Sequence, residues 1–206
     1  MKGSETVQVH HNGYTLNSFV FLFPSSCGVV KVLENNNDLE IVLQEAHEDW
    51  DPQRAKKTTE DVLAKFDNRV DAFICNNDGL ATGVVAAPKE KGLDNVDRVF
   101  VAGADADLIN IRYIVEGKQS IDVWKMIKPL AEQAAEVAVR MARNPEKKVS
   151  DLIKPDRMVN NGLFDIPTIV TPVKLVTRGN IYDTLIQKGV YTWEQIYGSP
   201  PTSGKP

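Results

Sequence analysis

The sequence predicts an α/β domain: a parallel sheet with helices on both faces. Two observations carry that expectation. From Asp38 onward, strand-like runs alternate with helix-like ones, the pattern in which parallel strands are joined through crossover helices. The 206 residues are 42% hydrophobic and 25% charged, an ordinary balance for a chain that buries a core.

Each element follows from local chemistry. Leu39-Glu40-Ile41-Val42-Leu43 reads as a strand, and Asp51-Pro52 then opens a helix, because proline suits a first helical turn. That helix runs to about Phe66, with Ala55, Val62 and Phe66 among its apolar positions. Val70 to Cys75 is the next strand, followed by a helix from about Gly79 that Pro88 ends or kinks. Val99-Phe100-Val101-Ala102 is a third strand, Leu108–Val115 a helix, and Ser120–Trp124 a fourth strand. Met126–Arg143 is the clearest helix, with a broad, alanine-rich apolar stripe that Asn144-Pro145 terminates. Ile169–Val176 is extended, Ile181–Lys188 a short helix, and the Pro/Ser/Gly-rich tail 198–206 is expected to lack structure. No internal repeat is visible.

Several function classes are disfavoured. With 24 basic against 28 acidic residues the formal charge is −4, which leaves no footprint for nucleic acid or an anionic membrane. No apolar stretch is long enough to span a bilayer. No helix-turn-helix is visible. Neither a G-x-G-x-x-G after a strand nor a Walker loop is present, so no nucleotide cofactor is expected. The cysteines are Cys27 and Cys75, whose spacing fits no metal or redox motif; Cys75, in an apolar run, reads as a small buried hydrophobe, and a disulfide between the two stays open. No metal ligand set is expected. Phe19–Phe23 followed by Pro24-Ser25-Ser26-Cys27 has the outline of a lipoprotein signal. The apolar run is short and Lys2 is the sole basic charge before it, so residues 1–27 read as an atypical leader rather than an export signal.

In open parallel sheets, ligands bind at the carboxyl ends of the strands. Reading past each strand gives His47, Glu48, Asp49 and Trp50, then Asn76, Asn77 and Asp78, then Asp105 and Asp107, and finally Trp124-Lys125. An indole, an amide, a carboxylate and an ammonium suit a neutral polyol. The indole offers a flat apolar face to C–H groups, the amide both donates and accepts, and the carboxylate makes charge-assisted bonds to hydroxyls. Each residue also has a plainer use. Trp50 alone is a packing residue, Asn77, Asp78, Asp105 or Asp107 a helix cap, and Lys125 a solvated charge. His47, flanked by acids, invites an enzymatic reading. No serine or cysteine nucleophile follows these strands, and the separation of Asp78 and Asp105 as a glycosidase-type pair cannot be read from sequence.

These residues resemble the xylose-binding proteins of bacterial ABC transporters, in the type I periplasmic binding protein superfamily. Asp49-Trp50-Asp51-Pro52, the strand end Asp71 to Asp78, the turn Ala102 to Asp107, Val123-Trp124-Lys125, and Asn160-Asn161-Gly162-Leu163 with Ile166-Pro167 match in order from about Gly28 to Tyr191. The resemblance implies a binding protein rather than an enzyme. Trp50 would stack on an aldopentose such as D-xylose, Asn77 and Asp105 would bond its hydroxyls, and Lys125 would reach in from the hinge.

By the same resemblance, residues 28–125 are the C-terminal sugar-binding lobe and 126–168 a hinge-crossing helix and loop that pack on an N-terminal lobe missing here. Residues 169–197 return to the first lobe. Helix 126–143, without its partner, is expected to self-associate or leave the chain marginally stable. An ABC transporter permease is the implied partner, and the periplasm or cell surface the implied location. The chain departs from the family pattern at Ala104, where glutamine is usual, and at Ala46, where tryptophan is frequent. The alternative function is a sugar-sensing lobe that signals to a partner protein.

Overall fold

The computed structural model describes residues 9–11, 14–16, 18–22, 32, 35, 39–87 and 95–198. It divides into two compact units, one comprising residues up to Trp124 together with those from Leu175 onward, the other Lys125–Lys174. The sequence expectation set the corresponding divisions at 125/126 and 168/169.

The first unit is built on a six-stranded sheet. After a small antiparallel ribbon of β1 (Val9–His11) and β2 (Tyr14–Leu16), the strands are β3 (Ser18–Leu22), β4 (Glu40–Gln44), β5 (Ala72–Cys75), β6 (Phe100–Ala104), β7 (Ile121–Lys125) and β10 (Val173–Val176). Their order across the sheet is β10-β7-β6-β5-β3-β4, and the pairs from β4 through β7 are all parallel. The expected α/β architecture is present. One strand was not expected: Phe19–Leu22, read from sequence as part of a leader, lies inside the sheet between β4 and β5. The run is short for a signal core, and its length suits a strand.

Helix α1 (Pro52–Lys65) carries the chain from β4 over β3 to β5. Asp51 caps it, its side chain accepting a hydrogen bond from the Gln53 N–H at 2.8 Å, and Pro52 fills the first turn. Helix α2 (Asp78–Ala86) joins β5 to β6, and α3 (Leu108–Val115) joins β6 to β7. Helix α2 ends at Ala86, with Ala87 as its C-cap, where the sequence placed a break at Pro88. Gly83 lets α1 and α2 approach closely, since a Cβ there would lie 2.1 Å from the Pro52 carbonyl oxygen.

The core follows the two periodicities. Phe73, Cys75, Val99 and Val101 point to one sheet face and pack with Ala55, Val62, Leu63, Leu80 and Val84 of α1 and α2. The alternating residues Ala72, Ile74 and Phe100 cluster separately with Leu39 and Ile41. Cys75 is a free, buried thiol, as its apolar run implied. A further core gathers Ile111 and Ile114 of α3 with Val176, Ile181, Leu185 and Ile196. The last three come from around a π-helical turn (Tyr182–Ile186) and a short terminal helix (Trp193–Tyr197) begun by the capping box of Thr192 and Gln195.

The second unit contains α4 (Ile127–Arg143), α5 (Val149–Leu152) and an antiparallel hairpin of β8 (Arg157–Asn160) and β9 (Asp165–Thr168). Asn161 shapes the hairpin turn by accepting from the Leu163 and Phe164 N–H groups, both at 3.0 Å. No residue of α4 is buried. Leu130, Ala134, Val137 and Met141 line an open apolar groove of about 410 Å³ with Val149 and Ile153.

Candidate functional site

The carboxyl ends of β4, β5 and β6 lie side by side apart from the intervening β3, so the segments that leave them form one rim of the first unit. Beyond β4, residues 46–50 wall a depression of about 530 Å³. Glu48–Trp50 is a single tight turn in which the Trp50 N–H donates to the His47 carbonyl at 3.2 Å. Asp49 and Trp50 both have positive φ, 56° and 51°. Such a pair of left-handed residues costs of order 1–3 kcal/mol each and throws the indole outward. Trp50 is 53% exposed, so it is not the packing residue that its type alone suggests. His47 behind it is buried, its Nε2 finds no partner, and burial holds its pKa below the ordinary imidazole value.

At the end of β5, Asn77 caps α2, its Oδ1 accepting from the Leu80 N–H at 3.0 Å. The cap use foreseen for an asparagine here is therefore present. The Trp50 turn packs against this helix end: a Cβ on Gly79 would sit 3.3 Å from the Trp50 carbonyl oxygen and 3.4 Å from Asn77 Nδ2. Asp105 leaves β6 with φ 125° and Ala106 follows at 62°, so the chain reverses sharply before Asp107, the first cap position of α3. Asp107 itself makes no side-chain cap bond. Lys125 is the last residue of β7 and the first of the second unit. The fold therefore brings Trp50, Asn77 and Asp105 to the same rim of the first unit.

Beneath that rim lies a feature sequence reading missed. Asp78, Asn110, Gln119 and Asp122 are all buried. Asp78 Oδ2 accepts from the Asp107 N–H at 2.6 Å, and Asp122 Oδ1 accepts from the Ala106 N–H at 3.0 Å. Gln119 Nε2 donates to Asp122 Oδ2 at 2.9 Å, and Asn110 Nδ2 donates to Gln119 Oε1 at 2.9 Å and to the Asp78 carbonyl at 3.2 Å. Tyr191 donates its hydroxyl proton to the Ala106 carbonyl at 2.9 Å. The two carboxyl groups approach each other: Asp78 Oδ1 and Asp122 Oδ2 lie 2.3 and 2.9 Å from where a Cβ on Gly103 would stand. Burial first, and then the neighbouring Asp122, push Asp78 up to about 9; burial also raises Asp122, against the hydrogen bonds that it accepts. A signal was available: Asp122 sits within an otherwise strand-like run, Ile121-Asp122-Val123-Trp124. The partner that permits its burial is distant in sequence.

The comparisons with known proteins agree with this architecture. Residues 26–146 match the model of the periplasmic binding protein domain. The D-xylose-binding periplasmic protein of Escherichia coli is 35% identical over 173 residues, 82% of this chain and 50% of that protein. The D-xylose-binding periplasmic protein of Haemophilus influenzae is 34% identical over the same shares. The chain spans about half the length of these curated relatives. Among solved structures, a carbohydrate transporter solute-binding protein of Chloroflexus aurantiacus in complex with D-glucose superposes with a TM-score of 0.70 at 24% identity, covering 93% of this chain and 64% of that one.

Proposed function

This chain belongs to the periplasmic binding protein domain family, and from that premise we propose that it binds a monosaccharide, an aldopentose such as D-xylose, without transforming it. The observation that carries the reading is the shared rim: Trp50, Asn77 and Asp105 follow the carboxyl ends of β4, β5 and β6, and the indole is exposed there rather than packed. The Trp50 ring supplies the apolar face for sugar C–H groups. The Asn77 amide and the Asp105 carboxylate bond the hydroxyls. Xylose-like pentoses are preferred because the xylose-binding proteins of two bacteria are similar to most of this chain. Delivery of the sugar to an ABC transporter permease in the periplasm is part of the same reading.

Three side-chain contacts at about 0.5–1.5 kcal/mol each correspond to an affinity in the millimolar range or weaker. Calorimetric titration of D-xylose, D-ribose and D-glucose into the full chain tests the proposal, with Trp50→Ala as the control. Saturable xylose binding that the variant loses supports it; absence of heat with every sugar sinks it.

The exposed apolar face of the second unit bears on assembly. Ile127, Leu130, Val139 and Met141 of α4 are exposed, and so are Leu163 and Phe164 at the hairpin turn. An amphipathic helix draws most of its stability from packing its apolar face. We propose that in the isolated protein this face is covered by a second copy of the chain. Light scattering that reports a monomer with a cooperative melt would count against it.

A further inference from the structure

The rim that presents Asp105 is strained, and something must hold it. Asp105 and Ala106 occupy positive-φ conformations that non-glycine residues avoid. The next two backbone N–H groups, of Ala106 and Asp107, are each taken by one member of the buried carboxyl pair, Asp122 and Asp78. The pair is therefore the floor on which the turn sits. We propose that Asp78 and Asp122 hold one proton between them and act as the positioning pair that fixes Asp105 for the ligand. The inference rests on the sugar-binding reading for what Asp105 does, while the floor itself stands on the geometry alone.

The hydrogen-bond inventory places the proton. Asp78 Oδ1 is buried and accepts no hydrogen bond, an expensive state for an ionised oxygen. Asp122, in contrast, accepts from two donors, the Ala106 N–H and Gln119 Nε2. The better-solvated anion is Asp122. A proton on Asp78 Oδ1, donated to Asp122, turns the orphan acceptor into a donor and removes the repulsion between adjacent carboxylates. Asp78 Oδ1 and Asp122 Oδ2 indeed converge on one point, lying 2.3 and 2.9 Å from where a Cβ on Gly103 would stand.

The charged and titratable groups facing the pair are Asp105 and Asp107 of the turn, Cys75 of β5 and Tyr191 beside α3. The two carboxylates add to the pressure toward protonation. Burial raises both the thiol and the phenol, which stay neutral while the pair keeps its proton. Loss of that proton toward pH 9 places two anions in a dry site, and the turn loses its floor.

Carbon-13 NMR of the aspartate carboxyl groups in the full chain reads the proton directly. Asp78 is expected to keep the shift of a neutral acid at pH 7, and titration in the ordinary carboxylate range would overturn the proposal. The substitutions are expected to be asymmetric. In Asp78→Asn the amide copies the neutral acid, one oxygen accepting from Asp107 and one N–H donating to Asp122. In Asp122→Asn an NH₂ group faces a donor, Ala106 N–H or Gln119 Nε2. Asp78→Ala and Asp122→Asn are expected to weaken D-xylose binding at least tenfold, and Asp78→Asn to rescue it to within about threefold of the unsubstituted chain. Equal damage from both asparagine variants would refute the assignment.

Hydrogen exchange at the Ala106 and Asp107 amides supplies a reading that needs no ligand. Protection retained in Asp78→Asn and lost above pH 9 in the unsubstituted chain supports the floor; protection indifferent to pH and to both variants rejects it. Should the unsubstituted chain bind no sugar, the function proposed above falls, while the carboxyl shift and the exchange rates still decide this one.

Discussion

Replacing Gly103 with alanine adds one methyl group at the centre of the buried polar network. Gly103 stands opposite Asp122 in the β6–β7 register. Its new Cβ would meet Asp78 Oδ1 at 2.3 Å, Gln119 Nε2 at 2.5 Å and Asp122 Oδ2 at 2.9 Å. Ordinary van der Waals contact begins near 3.4 Å, so two of these atoms must retreat by about 1 Å. None is the loose end of a flexible chain: Asp78 is tied to Asp107, and Gln119 to Asn110, Ile121 and Asp122. Overpacking costs about 1–3 kcal/mol, and each buried polar group pulled off its partner adds about 1–3 kcal/mol. A loss of about 2–5 kcal/mol follows, against a typical domain stability of about 5–15 kcal/mol. Strand preference acts in the opposite direction, favouring alanine over glycine by about 0.5–1 kcal/mol. Urea denaturation followed by tryptophan fluorescence separates the two, because about 1–3 kcal/mol per molar of urea converts the loss into a midpoint lowered by about 1–2 M or more. An unchanged or raised midpoint would mean that the network is not the tight assembly described.

Three other expectations follow from the same contacts. Folded Asp78 keeps its proton up to about pH 9, whereas the unfolded side chain gives it up near 3.8. The unfolded state therefore binds fewer protons between those limits, and this group's contribution is complete at low pH and lost as pH rises through 9, with a slope of up to about 1.4 kcal/mol per pH unit. Urea midpoints from pH 5 to 8 should show that decline and Asp78→Asn should remove it; identical slopes would contradict it. His47 acts with the opposite sign, since burial lowers its pKa, so its contribution is present above 6.5 and lost as pH falls; His47→Gln should flatten the acid side of the melting profile. Asn77→Ala removes the α2 cap and should cost about 1 kcal/mol by urea denaturation, together with weakened sugar binding; an unaltered midpoint would show that the cap is not needed.

Much of the first unit was legible because its elements announce themselves locally. Asp51-Pro52 is a cap followed by a first-turn proline, and α1 begins where that pair says. Leu108–Val115 carries a helical pattern between polar ends, and α3 has those bounds. The rim residues were legible for a topological reason: once parallel strands are located, their carboxyl ends are the place to look. Strand β3 was left in an atypical leader because no strand–helix alternation is visible before Asp38, and only pairing with β4 and β5 assigns it to the sheet. The hairpin 157–168 was missed as structure although Asn160-Asn161-Gly162 is a turn signal.

The sequence by itself determined the alternation of strands and helices, hence the parallel sheet and the strand ends that Trp50, Asn77 and Asp105 follow, because hydrophobic period and capping act within a few residues. Tertiary structure alone decided what lies under that rim. Asp78 and Asp122 are far apart in the chain, and an aspartate in isolation belongs in water. Only the fold brings a second carboxyl group, a glutamine and two backbone N–H groups within hydrogen-bonding distance, which makes burial of both acids tolerable and a strained turn stable.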